Sequence, residues 1–282
     1  MRIAVTGGTG FIGGRLIPLL RARGHESVLL RHGDDWPAVA LDGMDAVVHL
    51  AGEPVAQRWT ADAKRRIRES RVEGTRDLIR ALGNTVNKPA VLVSGSAIGF
   101  YGHRGDEMLS EDSGCGDGFL ADVTRDWERA ADEALALGIR VVKLRTGIVL
   151  GREGGTLAKL LPVFRAGLGG RVGTGRQWLS WIHADDMAGL LAFAVENPAV
   201  AGVLNGTAPN PVTNAEFTRN LAAVLHRPAV FTVPLFALRM MYGEMAEVVA
   251  SSQRVLPRAA EAAGFRFGYP ELRGALERLL ST

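Results

Sequence analysis

The chain has 282 residues, 47% of them hydrophobic, which is enough for one large domain or two modest ones with an ample core. Its formal charge is only +3, with basic residues interleaved among acidic ones, and this argues against a nucleic-acid groove. The single cysteine, Cys115, rules out disulfide scaffolds and cysteine-based metal sites within one chain, and no apolar run is long enough to span a bilayer.

The first element, residues 2–6, is an apolar strand. It runs straight into Gly7-Gly8-Thr9-Gly10-Phe11-Ile12-Gly13 and then into a helix. Strand, glycine turn and helix in that order make a pyrophosphate cradle. Gly7 permits the tight turn, Gly10 lets the backbone approach the phosphates, and Gly13 lets the helix pack close on the strand. Free N–H groups at the helix N-terminus then face the anion. Residues 1–5 already read as a core strand rather than a signal peptide, so a soluble cytoplasmic protein is expected.

The first helix is expected over 12–23, with Leu16, Leu19 and Leu20 on one face and Gly24 as its stop. Strands follow at 27–30 and 46–50, then a long helix over 60–81. A strand at 90–93 is closed by Ser94-Gly95-Ser96; a helix over 120–137 and a strand over 140–144 come next. This alternation predicts an α/β chain built on a Rossmann-type doubly wound parallel sheet with helices on both faces. The second half is less regular. Helices are expected over 156–168, 184–196 and 214–225, the last capped by Thr213 or Asn214, with short strands at 178–182 and 203–205. Residues 228–234 read as extended. The tail is mostly helical, broken at Pro257, Gly264 and Pro270. The expected organisation is a dinucleotide-binding part over 1–155, to which 178–208 returns. A smaller, mostly helical and discontinuous substrate part covers 156–282.

The glycine turn, His49-Leu50-Ala51-Gly52, Ser94-Gly95-Ser96 with Tyr101-Gly102, Arg145-Thr146-Gly147 and Trp181-Ile182-His183-Ala184-Asp185-Asp186 together resemble the extended short-chain dehydrogenase/reductase superfamily of nucleotide-sugar epimerases. A narrower likeness, to an uncharacterised "epimerase family protein" branch with its own C-terminal domain, rests on several further motifs. These are Leu50-Ala51-Gly52-Glu53-Pro54, Arg58-Trp59, Ser70-Arg71, Asp126-Trp127-Glu128, Gly243-Glu244-Met245, Gln253-Arg254-Val255-Leu256-Pro257 and Ala263-Gly264-Phe265-Arg266-Phe267. The resemblance implies a bound dinucleotide along Leu50, Ala51, Gly52 and Glu53, and a Ser96 that orients a substrate hydroxyl. Arg145 ends the fifth strand on the same carboxyl edge, so it is expected at the cofactor.

The end of the second strand discriminates between the two nicotinamide dinucleotides. An acid there binds a ribose 2′-hydroxyl, and an arginine accommodates a 2′-phosphate. Arg31 follows Leu30 directly, with Asp34 and Asp35 later in the loop. NADP(H) is therefore expected, with Arg31 on the 2′-phosphate; the alternative for Arg31 is a solvated surface side chain.

Redox members of the resembling superfamily carry a Tyr-x-x-x-Lys pair on the helix after the fourth strand. The tyrosine is the acid/base and the lysine lowers its pKa. Here Phe119 pairs with Val123 and Leu120 with Thr124, so neither frame offers tyrosine or lysine. Tyr101, on the loop beyond Ser96, is the first substitute candidate, set against a role in shaping the pocket. Glu53 is the second, and Lys143 and Asp122 are weaker. Arg71 stands where the wider superfamily usually has asparagine, and reads either as a structural ion pair or as a site for an acidic substrate. His183 reads as structural at a helix start, and Cys115 as a bystander thiol. Trp59, Trp127, Trp178 and Trp181 read as packing, with Trp178 in a segment that borders the substrate cleft in the resembling family.

Two functions follow. One is an NADP(H)-dependent oxidoreductase or epimerase-like enzyme with a nonstandard acid/base, acting on a small carbonyl or sugar-like molecule. The other is a non-catalytic NADP(H)-binding sensor or scaffold. No nucleic acid and no membrane are expected as partners. The chain is expected as a monomer or a homodimer, the long helices over 60–81 and 120–137 matching a dimer seam of the resembling family.

Overall fold

The computed structural model describes residues 1–30 and 38–281. Six strands make one parallel sheet: β1 (Arg2–Thr6), β2 (Glu26–Leu30), β3 (Ala46–His49), β4 (Val91–Ala97), β5 (Arg140–Thr146) and β6 (Gly202–Gly206). Their order is β6-β5-β4-β3-β1-β2. Alternation along β1 shows why both sheet faces are covered. Ile3 and Val5 point to one side and Ala4 to the other, and all three are fully buried. The first side packs on α1 (Phe11–Ala22) through Leu16 and Leu20, and on a helix at Ala184–Glu196 through Leu190 and Leu191. The second packs on α2 (Ala61–Gly83) through Leu78 and Leu82, and on α3 (Phe119–Asp132) through Ala131. Strands buried on both faces explain the continuous apolar runs in the sequence. Fully burying Leu16 or Leu20 is worth roughly 1.5–3 kcal/mol each.

Helix starts follow their caps. Thr60 accepts from the Ala63 amide at the head of α2. The head of the helix Asn214–Leu225 carries a full capping box, with Thr213 and Glu216 each bonding the other's backbone N–H. A second core gathers Leu157, Leu161, Phe164, Trp181, Phe217 and Leu276, between the helices Gly155–Arg165, Asn214–Leu225 and Leu272–Leu280.

Several expected bounds shift. The central strands run further than their apolar runs suggest, because β4 and β5 pair through Ser94↔Lys143, Ser96↔Arg145 and Ala97↔Thr146. Ser96 and Arg145 are therefore ladder residues inside strands. The helix expected over 120–137 is α-helical only to Asp132 and tightens to a 3₁₀ turn at Glu133–Leu137, released by Gly138 at φ 76°. The strand expected at 178–182 is two pieces, Trp178–Leu179 and Trp181–His183, broken at Ser180. The Ser180 hydroxyl donates to the Gln253 carbonyl at 2.7 Å and accepts from the Val255 amide at 2.8 Å.

Candidate functional site

The strand order reverses at β1, which has β2 on one side and β3 on the other. A crevice opens outside the carboxyl ends at such a switch point. Here it is a cavity of about 590 Å³, walled by the Gly7–Gly10 turn, by Leu29 and Leu30 of β2, and by residues 49–53 beyond β3.

The turn is built by exclusion. Gly7 lies at φ +67°, and a Cβ there would stand 2.7 Å from the Ala51 nitrogen. A Cβ on Gly13 would stand 2.5 Å from both the Gly7 carbonyl oxygen and the Gly8 Cα, so α1 can close on the turn only with glycine there. The Gly10 amide donates to the Gly7 carbonyl at 3.0 Å. Gly10 gives α1 no capping side chain, and no acid lies in the first turn. The helix N-terminus is thus left open to an anion. Thr9 is exposed on the crevice wall. The Phe11 and Ile12 side chains turn to the core. A Cβ on Gly154 would stand 2.3 Å from the Phe11 ring.

Thr6 zips the two strand ends together. Its hydroxyl receives the Leu50 and Ala51 amides at 3.2 and 3.3 Å and shares a hydrogen bond with His49 Nδ1 at 2.7 Å. Leu50, Ala51, Gly52 and Glu53 follow along the wall. The Glu53 amide donates to the Ser70 hydroxyl at 3.0 Å. Its carboxylate accepts from Gln57 Nε2 at 2.9 Å, and this bond, with Arg66 nearby, holds it below the usual carboxylate range. An ionised Glu53 accepts hydrogen bonds and has no proton to give. Arg31, Asp34 and Asp35 lie outside the described residues.

A second polar cluster sits one strand pair away, and it is closed. Arg145 on β5 donates through Nε and Nη2 to the two Glu128 carboxylate oxygens on α3, at 2.7 and 2.9 Å. The Ser96 hydroxyl donates to Glu128 Oε1 at 2.6 Å. Arg145 Nη1 donates to the Tyr101 hydroxyl at 2.9 Å, and that hydroxyl donates on to Asn205 Oδ1 at 2.7 Å. The Arg145 guanidinium lies 3.5 Å from the Phe100 ring centroid. Tyr101 and Asn205 are fully buried, and Ser96, Glu128 and Arg145 nearly so. Burial pushes the Tyr101 phenol up, opposed by Arg145. The structure therefore brings Ser96, Tyr101 and Arg145 together around Glu128 and not around the crevice. Glu128 and Asn205 are the members that sequence reasoning missed. The first was visible in Asp126-Trp127-Glu128, but its partner was not.

Neither Tyr/Lys frame on α3 carries an ionisable side chain. The Thr124 hydroxyl back-bonds to the Leu120 carbonyl at 2.6 Å, and Leu120 packs toward Gly99. Phe119 meets Trp59 edge-on at 5.1 Å. Lys143 pairs with Asp132 at 2.8 Å and Asp122 with Arg125 at 2.8 Å, both away from the crevice. Burial raises the Cys115 thiol. His183 is itself the cap of the helix Ala184–Glu196, its Nδ1 accepting from the Asp185 amide. The Arg71 guanidinium makes no ion pair with a carboxylate among the described residues; it donates instead to the carbonyls of Glu53 and Ile67. The Gln253-Arg254-Val255-Leu256-Pro257 run is a strap. Gln253 Nε2 donates to the Ile98 and Gly102 carbonyls, and Asn205 Nδ2 donates to the Leu256 carbonyl. Trp178 stacks under Arg254 at 4.2 Å and donates to Asp106, near a second cavity of about 450 Å³ that Gln177, Leu235 and Ser252 help to line.

Comparison with known proteins places this geometry. Residues 3–205 match the model of the NAD dependent epimerase/dehydratase family, and residues 233–279 match a domain of unknown function, DUF1731. The chain is 40% identical to the epimerase family protein SDR39U1 homolog, chloroplastic, of Arabidopsis thaliana, over 99% of this chain and 87% of that one. It is 38% identical to the epimerase family protein YfhF of Bacillus subtilis, over 100% and 98%. The crystal structure of human epimerase family protein SDR39U1 (isoform 2) with NADPH superposes with a TM-score of 0.92 at 36% identity, covering 100% of both chains. Among the described residues, no helix is long and apolar enough to cross a membrane.

Proposed function

The chain belongs to the NAD dependent epimerase/dehydratase family, and on that premise we propose that it is an NADP(H)-binding protein of the oxidoreductase or epimerase-like type, without a Tyr-x-x-x-Lys pair. The observation that carries the cofactor is the crevice at the switch point. Its turn excludes side chains at Gly7 and Gly13, and its helix N-terminus is left uncapped. The NADPH held by the human relative supports the choice of dinucleotide. In this reading Gly7, Thr9 and Gly10 hold the pyrophosphate with the backbone of Phe11, Ile12 and Gly13, and Leu50 to Glu53 line its path. Arg31 takes the 2′-phosphate. Residues 1–155, joined by 178–208, hold the cofactor, and 156–282 cover a small carbonyl or sugar-like substrate. When bound, the cofactor supplies hydride chemistry.

We assign Ser96, Tyr101 and Arg145 to the floor beneath the site. Their polar groups are buried and committed to Glu128 and Asn205. Tyr101 thus shapes the site rather than moving a proton. A panel of carbonyl compounds and nucleotide sugars, read as NADPH consumption, tests turnover. Activity that survives in Tyr101→Phe supports this assignment, and activity abolished in a folded Tyr101→Phe returns Tyr101 to the acid/base role.

One observation favours a second reading, a cofactor-binding sensor or scaffold that does not turn over. Leu120 and Thr124 occupy the acid/base frame on α3, and Thr124 spends its hydroxyl on its own helix. Tight NADPH binding with silence across the panel selects this reading.

A further inference from the structure

Among the described residues, Arg71 is a partly buried cation that neither the core nor the glycine cradle explains. It sits on α2, half-buried, between Ser70 and Gly74, which both stand in the crevice wall. Its Nη1 donates to the Glu53 carbonyl at 2.9 Å and to the Ile67 carbonyl at 3.1 Å. Its Cζ lies 5.2 Å from the Trp127 ring centroid on α3, and a Cβ on Gly52 would stand 3.4 Å from that same Cζ. The Glu53 carboxylate bonds to Gln57 and Arg66 and makes no contact ion pair with Arg71, although its charge favours the Arg71 cation.

A guanidinium is a fork of five donors, and here one nitrogen meets two neutral carbonyls. The charge is held largely out of water, and no carboxylate among the described residues makes a contact ion pair with it; Glu53 acts on it only through space. Burial pulls its pKa down to about 10 against the opposing charge of Glu53, and an anion in direct contact would raise it further. The position is specific as well. The crevice runs from Leu29 and Leu30 at the β2 end past the glycine turn to Gly52, Ser70 and Gly74. Arg71 is at the end away from β2, beside the helix where Thr124 carries no charge.

Resting on the cofactor reading above, we propose that Arg71 is an oxyanion receptor on the α2 wall of the crevice. The oxyanion is either the nicotinamide-side phosphate of the dinucleotide or the carboxylate of an acidic substrate beside it. The planar fork suits both, and bidentate pairing with phosphate or carboxylate is the strongest use of a guanidinium.

The test has two arms. In the first, NADPH and 2′,5′-ADP are titrated into wild type, Arg71→Met, Arg71→Gln and Arg71→Lys by fluorescence and calorimetry. Loss of a charge-assisted pair should weaken NADPH roughly ten- to a hundredfold in the Met and Gln variants. Arg71→Lys, which keeps the charge without the fork, should fall between. Binding of 2′,5′-ADP, which lacks the nicotinamide half, should not change. That pattern assigns the cofactor phosphate. In the second arm, inorganic phosphate and pyruvate are titrated into the NADPH complexes by thermal shift. Unchanged NADPH affinity, with probe binding seen in wild type and lost in Arg71→Gln, assigns the substrate carboxylate. Arg71→Gln keeps a donor for the Glu53 carbonyl and guards against collapse of that loop. Variants that match wild type in both arms overturn the proposal. If wild type binds neither NADPH nor 2′,5′-ADP, the cofactor reading falls by itself, and the probe arm on unliganded protein then decides Arg71.

Discussion

Two polar regions share one sheet edge and treat their polar groups in opposite ways. At the β1–β3 switch point, glycines keep side chains out and the α1 N-terminus has no capping side chain. One strand pair away, at β4–β5, Ser96, Tyr101 and Arg145 are buried and bonded around Glu128 and Asn205. An uncapped helix N-terminus facing a cavity is a place for a ligand. A buried network in which Ser96, Tyr101 and Arg145 all have partners rigidifies the fold and commits those side chains to one another. Polar residues at the carboxyl edge of a parallel sheet are thus of two kinds, and the hydrogen-bond partners tell them apart.

The comparison breaks if the closed cluster can be cut cheaply. Glu128→Ala leaves Arg145 buried without its counterion, and should cost about 3–5 kcal/mol in urea unfolding. NADPH affinity of the folded fraction should stay near the wild-type value, since the crevice does not include Glu128. A cost below about 1 kcal/mol would show that the pair is not what holds this region together.

A separate buried group, His183 at the head of the helix Ala184–Glu196, is 1% exposed and stacked on Tyr269 at 3.8 Å. Burial lowers its pKa from 6.5 to about 4. Between those values the unfolded chain binds the proton and the folded chain does not, so stability is full above pH 6.5 and falls as the pH drops towards 4. The loss is on the order of 2–3 kcal/mol. His183→Asn, which can still cap the helix, should flatten the slope of stability against pH over that range.

The open side is sharpened by Gly7→Ala. The new Cβ meets the Ala51 nitrogen at 2.7 Å with φ at +67°, a strain on the order of 1–3 kcal/mol. The larger sign should be in binding, with NADPH weakened by at least about tenfold because the turn must open to fit the methyl group. Wild-type affinity in this variant would remove the turn from the cofactor site.

The smallest effect is expected from Tyr101→Phe. It leaves Asn205 Oδ1 without its donor and should cost about 1–2 kcal/mol in thermal or urea unfolding. NADPH binding should be unchanged.

The sheet and the turn were readable from sequence because their signals are local. Alternating apolar runs, glycine spacing and the Thr213 cap all lie within a dozen residues of what they specify. The closed cluster was not legible in the sequence, for a different reason. Ser96 and Arg145 stand at the carboxyl ends of apolar runs, where a ligand edge is expected. Whether such a side chain meets a ligand or a buried partner depends on how far β4 and β5 pair and on what α3 sets against them. The same holds for Arg71. Its two carbonyl partners and its neighbour Trp127 come from three different elements.

The amino-acid sequence by itself determined the cradle, because residues 2–13 are contiguous and glycine stereochemistry acts within a single turn. The assignment of Ser96, Tyr101 and Arg145 to a buried network, and the placing of the Arg71 guanidinium against two carbonyls beside the crevice, were decided only by tertiary structure. Their partners lie up to 104 residues away in the chain, and a hydrogen bond is made by distance in space.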